Sequence, residues 1–435
     1  MSTPKSIWNL IEFVSKRAVA KRFDYSCEGF DFGTIEGPVF VVTNHVCAWD
    51  PFLVGLAFPD RQFAFVASEH VMRMPKYGKL IGKVMDIIPH RKAGGGTSST
   101  RESLKRIKNG ESIFIASEGE QTWDGKTKPV VKPTGKLIKK SGATLVTFRI
   151  DGGHLAMPRW ADNARRGKVY AHHVNIYTPE ELEEMTPEEV NAVINRDLAF
   201  DIWEWQREEE AASGTMNKYI PAKGGLADGI ERMLYICPTC KRLGTLRSSG
   251  DYVDCECGFK TRFTETGFPD PEEPFETLAE WSDWQDDVLE EMLGVAGSDA
   301  DGAAGDGMEA DELFGDDGFV LIEIGNDHSE KTVANGRLSL GIGGVATANS
   351  GAEAERSAET DGAPGEVLYI EVGGTRFTLN DISQMAMILA KRIVFSASGM
   401  YYEIRPHDMK GRMNLRKYLV AWQKARSSLR DAEEE

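Results

Sequence analysis

Residues 38–52 read PVFVVTNHVCAWDPF. The run Val39–Val42 is short, apolar and rich in β-branched residues, the composition of a buried strand. Directly behind it stand Asn44, His45 and Asp50. Polar groups at the mouth of a buried strand cost free energy unless they find partners. The least costly arrangement pairs the histidine with the aspartate across a tight turn. Asp50 then accepts from one imidazole nitrogen, fixes the tautomer and raises the basicity of the other nitrogen. On these residues alone a second reading stays open, in which His45 is structural and Asp50 caps a helix starting at Pro51.

Outward from this stretch, apolar runs at 62–67, 112–116, 144–150 and 169–176 alternate with helical segments. One of these, Thr97–Asn109, has a Ser/Thr-rich start and basic residues later, as helix ends prefer. The alternation predicts an α/β fold, a mixed sheet flanked by helices. Thr178-Pro-Glu-Glu and Thr186-Pro-Glu-Glu each place a capping Thr before Pro and a Glu third in the helix, so 180–210 is predicted helical.

A chain of 435 residues exceeds one ordinary core. Its net charge of −17 conceals a split: residues 1–178 carry 27 Lys+Arg against 16 Asp+Glu, and residues 179–435 carry 24 against 52. A basic front half suits anionic partners such as phosphates, a nucleotide cofactor or an anionic lipid surface; a solvated basic face is the plainer alternative. No apolar run reaches the roughly 20 residues of a spanning helix, and the N-terminus lacks a signal peptide's apolar core. Ile7-Trp8, Leu10-Ile11 and Val14 recur at helical spacing before Lys16-Arg17 and Lys21-Arg22. That pattern fits a helix lying in a membrane interface and equally one packed on its own domain.

Cys237 and Cys240, then Cys255 and Cys257 after fourteen residues, form two close pairs on short turns flanking a predicted hairpin. Four thiolates so spaced can surround one structural zinc as a zinc ribbon; two disulfides are the alternative in an oxidising compartment. Cys27 and Cys47 read as small buried hydrophobes. Ribbons also bind nucleic acid, but residues 263–330 hold no Lys or Arg, and phosphate-backbone binding needs the opposite field. Residues 294–316 read as an acidic linker, with no complete calcium loop around Asp299 and Asp301, and 343–365 as a second such stretch. Beyond 317 come short strands (Phe319–Ile324, Val367–Val372, Arg376–Leu379, Ile393–Ala397, Tyr401–Arg405) and a last helix through Tyr418 and Trp422. This is the order of a β-rich, pleckstrin-homology-like domain. The expected layout is 1–215 for the first domain, 216–268 for the ribbon, 269–316 for an acidic helix and linker, and 317–435 for the last domain.

Asn44-His45-x4-Asp50-Pro51 resembles the first signature block of the glycerophospholipid (1-acylglycerol-3-phosphate) acyltransferases. Ile87-Ile88-Pro89-His90-Arg91 stands where that family has an apolar stretch leading to arginine. Ile115–Thr122, with Glu118-Gly119, is similar to the third block, and Leu145–Ile150 to the fourth, with Thr147 in place of the usual proline. A ribbon directly behind such a domain resembles a bacterial branch of the family. The resemblance implies acyl transfer from a thioester, acyl-CoA or acyl carrier protein, to a hydroxyl of a lysophospholipid acceptor. His45 would be the general base and Asp50 its orienting partner. Asn44, Arg91, Glu118 and Gly119 would serve the acceptor site, Arg91 as the phosphate clamp. It also implies a cytoplasmic protein peripheral on the inner membrane face. The third-block arginine is Gln121 here, which removes a positive charge; Lys126, Lys128 and Lys132 are the nearby candidates to replace it. The alternative function is a catalytically silent, lipid-binding scaffold with the same fold.

Overall fold

The structure is a computed structural model that describes residues 5–59, 61–74, 85–298, 312–343 and 367–434. The chain divides into two compact units, Met1–Ser282 and Asp283–Glu435.

The first unit is built on a seven-stranded sheet. Its strands are β1 (Asp24–Cys27), β2 (Val39–Thr43), β3 (Phe63–Ser68), β4 (Ile87–His90), β5 (Ser112–Ala116), β6 (Thr144–Asp151) and β8 (Lys168–Tyr177). Their order is β1-β8-β6-β2-β5-β3-β4. β2 pairs in parallel with β5 and β6, and β3 in parallel with β4 and β5, while β8 runs antiparallel to β6. All five residues of β2 are buried, as a central strand covered on both faces requires. On one face Phe40, Val42, Ile113 and Leu145 pack with Ile138 of α4 (Pro133–Ser141) and with Val190 and Ile194 of α7 (Pro187–Leu198). The other face holds an aromatic cluster in which Phe32 stacks on Phe58, and Phe58 meets Phe63 and Phe148. Thr147 sits at a bulge facing β8, and its hydroxyl donates to Asp197 Oδ2 at 2.9 Å. The carboxylate that accepts this proton also takes one from Tyr177.

Among the described residues the remaining α-helices of this part are α1 (Lys5–Arg22), α2 (Asp50–Ala57), α3 (Thr97–Lys108), the single turn α5 (Gly153–Ala156), α6 (Pro179–Glu184) and α8 (Ile202–Ser213). The stretch expected to be helical over 180–210 is three helices. Thr178 and Thr186 each complete a capping box, so the second Thr starts a new helix, and Asp201 caps a third through the amides of Trp203 and Glu204. β7 (Arg165–Arg166) pairs with β9 (Ile220–Pro221), which leads to a four-stranded sheet, β10 (Leu246–Ser249), β11 (Tyr252–Cys255), β12 (Lys260–Phe263) and β13 (Pro269–Asp270). Cys27, expected inside, is exposed at the end of an edge strand; Cys47 is buried.

α9 (Leu278–Ser298) starts in the first unit. Much of the expected acidic linker, 299–311, and of the second such stretch, 344–365, lies outside the described residues. The second unit is a seven-stranded antiparallel sheet, ordered β17-β16-β15-β14-β20-β19-β18, with a terminal helix α10 (Arg416–Glu434). Its strands are β14 (Glu312–Ile324), β15 (Glu330–Gly343), β16 (Val367–Val372), β17 (Thr375–Thr378), β18 (Ile382–Ile388), β19 (Arg392–Ala397) and β20 (Met400–Pro406). Tyr418 of α10 donates to Asp316 and to the carbonyl of Leu338, which pins the helix to the sheet.

Candidate active site

The parallel strands β2, β3, β4, β5 and β6 all end on one edge of the sheet, and open α/β sheets place ligands outside such carboxyl ends. His45 follows β2, Arg91 follows β4, and Glu118 follows β5. Because β2 and β5 are hydrogen-bonded neighbours, His45 and Glu118 come together.

The turn from β2 into α2 is organised by Asp50. Its Oδ2 lies 2.7 Å from His45 Nδ1 and accepts from the Val46 amide at 3.0 Å; its Oδ1 accepts from the Cys47 amide at 3.0 Å. Asp50 is buried, whereas the His45 side chain is 25% exposed. Trp49 takes the cap position of α2, so the Asp50 carboxylate serves the turn in front of the helix. With Nδ1 held, Nε2 is the nitrogen left to exchange a proton with a ligand.

Glu118 grips the same turn. Its Oε1 accepts from the His45 amide at 2.6 Å and its Oε2 from the Lys128 amide at 2.9 Å. Burial pushes its carboxyl up to about 8, against the pull of those two amides. Gly119 has φ +78°, the left-handed region, and an added Cβ would sit 3.2 Å from Val131 Cγ1. Thr122 N donates to the His45 carbonyl and Gln121 Nε2 to that of Val46. His45, Val46, Glu118, Thr122, Lys126 and Phe200 are among the residues lining a shallow surface cleft.

Asn44 is buried and spans β2 and β6, donating to the Ile150 carbonyl and accepting from the Ile150 amide. Arg91 stands half-buried at the sheet edge with neighbouring Gly94 packed against it. Gln121, where the third-block arginine was expected, is buried and spends its amide on the dyad turn. Of the three lysines proposed to compensate, Lys126 reaches Asp201 and Lys128 offers its backbone to Glu118. A cation outside every block does stand here: Arg159 Nη2 lies 2.8 Å from Glu120 Oε1, an ion pair, and Nη1 donates to the Gln121 carbonyl. The signal for it in the sequence is Glu120 itself, an acid in a buried loop that needs a counter-charge, though nothing local says from where.

In the second cluster of interest, Cys237 and Cys257 sulfurs stand 3.6 Å apart and those of Cys240 and Cys255 3.8 Å; all four lie within 4.8 Å of one another. A tetrahedral ion with Zn–S bonds of about 2.3 Å has S···S edges of about 3.8 Å, whereas a disulfide needs about 2.05 Å. The donor set therefore fits a thiolate-bound metal. Among the described residues it is the one His/Cys/Asp/Glu group with metal-site geometry.

Residues 14–151, which include His45, Asp50, Arg91 and Glu118, match the acyltransferase family. Among solved structures, the 1-acyl-sn-glycerophosphate (LPA) acyltransferase PlsC from Thermotoga maritima is similar at 23% identity and a TM-score of 0.40, over 45% of this chain and 77% of that one. No curated protein matches the chain. Among the described residues, no helix is long and apolar enough to cross a membrane.

Proposed function

We propose that the first unit transfers an acyl group from a thioester, acyl-CoA or acyl carrier protein, to the hydroxyl of a lysolipid, most readily 1-acylglycerol-3-phosphate. The observation that carries this reading is the His45 Nδ1–Asp50 Oδ2 distance of 2.7 Å with Nε2 left over, set at the carboxyl edge of the sheet. His45 Nε2 takes the acceptor's hydroxyl proton as the oxygen attacks the thioester carbonyl. The tetrahedral adduct then collapses, the carbon–sulfur bond breaks, and the imidazolium returns the proton to the leaving thiolate. A thioester is already activated, so no acyl-enzyme is required. Asp50 holds the tautomer and stabilises the imidazolium, while its two amide bonds keep it in place.

Asn44 is read as a positioning residue for the strand end, Glu118 and Gly119 as residues that shape the acceptor pocket, and Arg91 as the clamp for the acceptor's phosphate, a role that suits the guanidinium fork. Cys237, Cys240, Cys255 and Cys257 would hold a structural zinc, and the second unit's sheet-plus-helix order supports a pleckstrin-homology-like fold. α1 supports attachment to an anionic membrane surface. It packs through Trp8 and Val19 but exposes Leu10 (61%), Val14 (56%) and Phe13 (54%), and Arg17 lies over the Phe13 ring. The test is an acyl-transfer assay over phosphorylated and neutral lysolipids, scored by product mass. Transfer to a phosphorylated lysolipid, lost in His45→Ala, is the expected result; no transfer to any acceptor would overturn it.

A further inference from the structure

The third-block loop holds the dyad turn through residues 118, 121 and 122, and something must in turn hold that loop. Arg159, which lies just beyond α5 and outside all four family blocks, contacts the intervening and flanking positions. Its Nη2 is 2.8 Å from Glu120 Oε1, its Nη1 donates at 2.9 Å to the Gln121 carbonyl, and its guanidinium lies over the Trp123 ring, 4.1 Å from the centroid. The Arg159 side chain is 1% exposed. Among its described contacts the buried guanidinium meets a carboxylate, a carbonyl and a ring, and a planar fork so placed is held in one orientation, which a flexible ammonium would not be. Arg159 is itself held from the other side, since Arg232 donates to the carbonyl of the next residue, Trp160, at 2.8 Å.

We propose that Arg159 is a positioning residue for the His45–Asp50 dyad: by neutralising Glu120 and holding the Gln121 carbonyl it sets the 118–122 loop, and through that loop the turn that carries His45. The chain of hydrogen bonds runs from Arg159 to Gln121, from the Gln121 amide to the Val46 carbonyl, and from the Val46 amide to Asp50. Arg159 touches no reacting atom. Where the third-block arginine is absent, the cation here works behind the loop, and Gln121 is the side chain that it aims at the turn. This rests on the acyl-transfer reading only for its kinetic consequence, because the geometry of His45 can be read without turnover.

The experiment compares full-length wild type with Arg159→Met, Arg159→Lys and the double variant Glu120→Gln/Arg159→Met. Two readouts are used: the low-field proton resonance of the His45 Nδ1–Asp50 hydrogen bond, identified by its loss in His45→Gln, and steady-state acyl transfer. Arg159→Met should shift or broaden that resonance and lower kcat about 10–100-fold with acceptor KM changed less than about 3-fold. Arg159→Lys should recover little, because charge without the planar fork does not hold the carbonyl. Lys92 and Lys128 also face Glu120, Arg159 being the larger influence; the double variant should recover part of both readouts, since the carboxylate that has lost its main partner is gone. A low-field resonance unchanged in Arg159→Met overturns the proposal whatever the kinetics. So does a loss confined to acceptor KM, which would make Arg159 a substrate-binding group. If wild type transfers no acyl group at all, the proposed function falls, and the resonance alone still decides the role of Arg159.

Discussion

Glu118 Oε1 accepts the backbone amide of His45 at 2.6 Å, so the side chain at the tip of β5 fixes the main chain at the tip of β2. Its second oxygen takes the Lys128 amide. Removing the carboxylate leaves two amides without acceptors, and Glu118→Ala should cost about 2–4 kcal/mol in the unfolding of the first unit. The pH dependence follows from burial, which pushes the Glu118 carboxyl up from 4.5 to about 8. Between those values the unfolded chain is ionised at this site and the folded chain keeps its proton. The folded state therefore binds more protons, and Glu118 erodes stability as pH rises through that window. Glu118→Gln has no such slope, so its deficit against wild type should shrink from pH 5 to pH 9 in denaturant titrations. A deficit that stays constant from pH 5 to pH 9 would mean that the carboxylate is ionised in the fold.

The dyad variants should differ in kind. His45→Ala removes a partly exposed ring and no buried backbone partner, so it should stay folded and lose about 10²–10⁴-fold in transfer. Asp50→Asn keeps one accepting oxygen but turns an NH2 group toward either an amide or the imidazole. It should lose activity and also about 1–3 kcal/mol of stability. His45→Ala with near-normal turnover removes the dyad from the mechanism, which leaves the scaffold reading.

How much of this could be read from the sequence depends on the distance over which each feature is decided. β2 and its turn were legible, because a buried apolar run followed by His and Asp is a local contradiction with few solutions. The capping boxes at Thr178 and Thr186 were legible for the same reason, but a single helical stretch ignores that the second cap must end the first helix. β15 escapes a strand reading because Asn335, Gly336, Gly341 and Gly343 interrupt its alternation; its pairing with β14 and β16 decides it. The role of Gln121 was invisible, since it is set by where Val46 and Arg159 arrive from elsewhere in the chain.

The four cysteines should bind about one zinc per chain, measured by elemental analysis of purified protein. Cys240→Ser should lower the metal content and the melting temperature of the first unit. The reacting groups stay intact, yet a link to them exists: Arg232, shortly before Cys237, donates to Trp160 O and to Asp162. Chelation should therefore reduce transfer several-fold before global unfolding. Metal-free protein with four freely reactive thiols and full stability would rule out a structural ion.

Arg91 should separate acceptors by charge. Removing a bidentate, charge-assisted hydrogen-bond pair from a partly desolvated site costs about 1.5–3 kcal/mol, or roughly 10–100-fold. Arg91→Ala should weaken use of a phosphorylated lysolipid by that factor and spare the slow hydrolysis of the thioester, where water replaces the acceptor. Equal loss of both activities, with a lower melting temperature, would make the arginine structural.

The exposed stripe of α1 gives the last prediction. Leu10 and Val14 lie one turn apart and both are more than half exposed, while Trp8 and Val19 on the other side are buried in the unit. Two half-exposed aliphatic side chains entering an interface gain about 1 kcal/mol each, and nearby Lys16, Arg17 and Lys21 add attraction to anionic lipid that salt screens. Leu10→Glu/Val14→Glu reverses both terms on a surface that contributes little to folding. It should leave the melting temperature within about 1–2 °C of wild type and reduce binding to phosphatidylglycerol-containing vesicles at least 10-fold in sedimentation assays. Wild-type binding should fall with added salt and be weak on neutral vesicles. Transfer to a short-chain, water-soluble lysolipid should survive in the double variant, because the dyad is untouched. Full vesicle binding by the double variant would move the membrane-binding surface elsewhere on the protein.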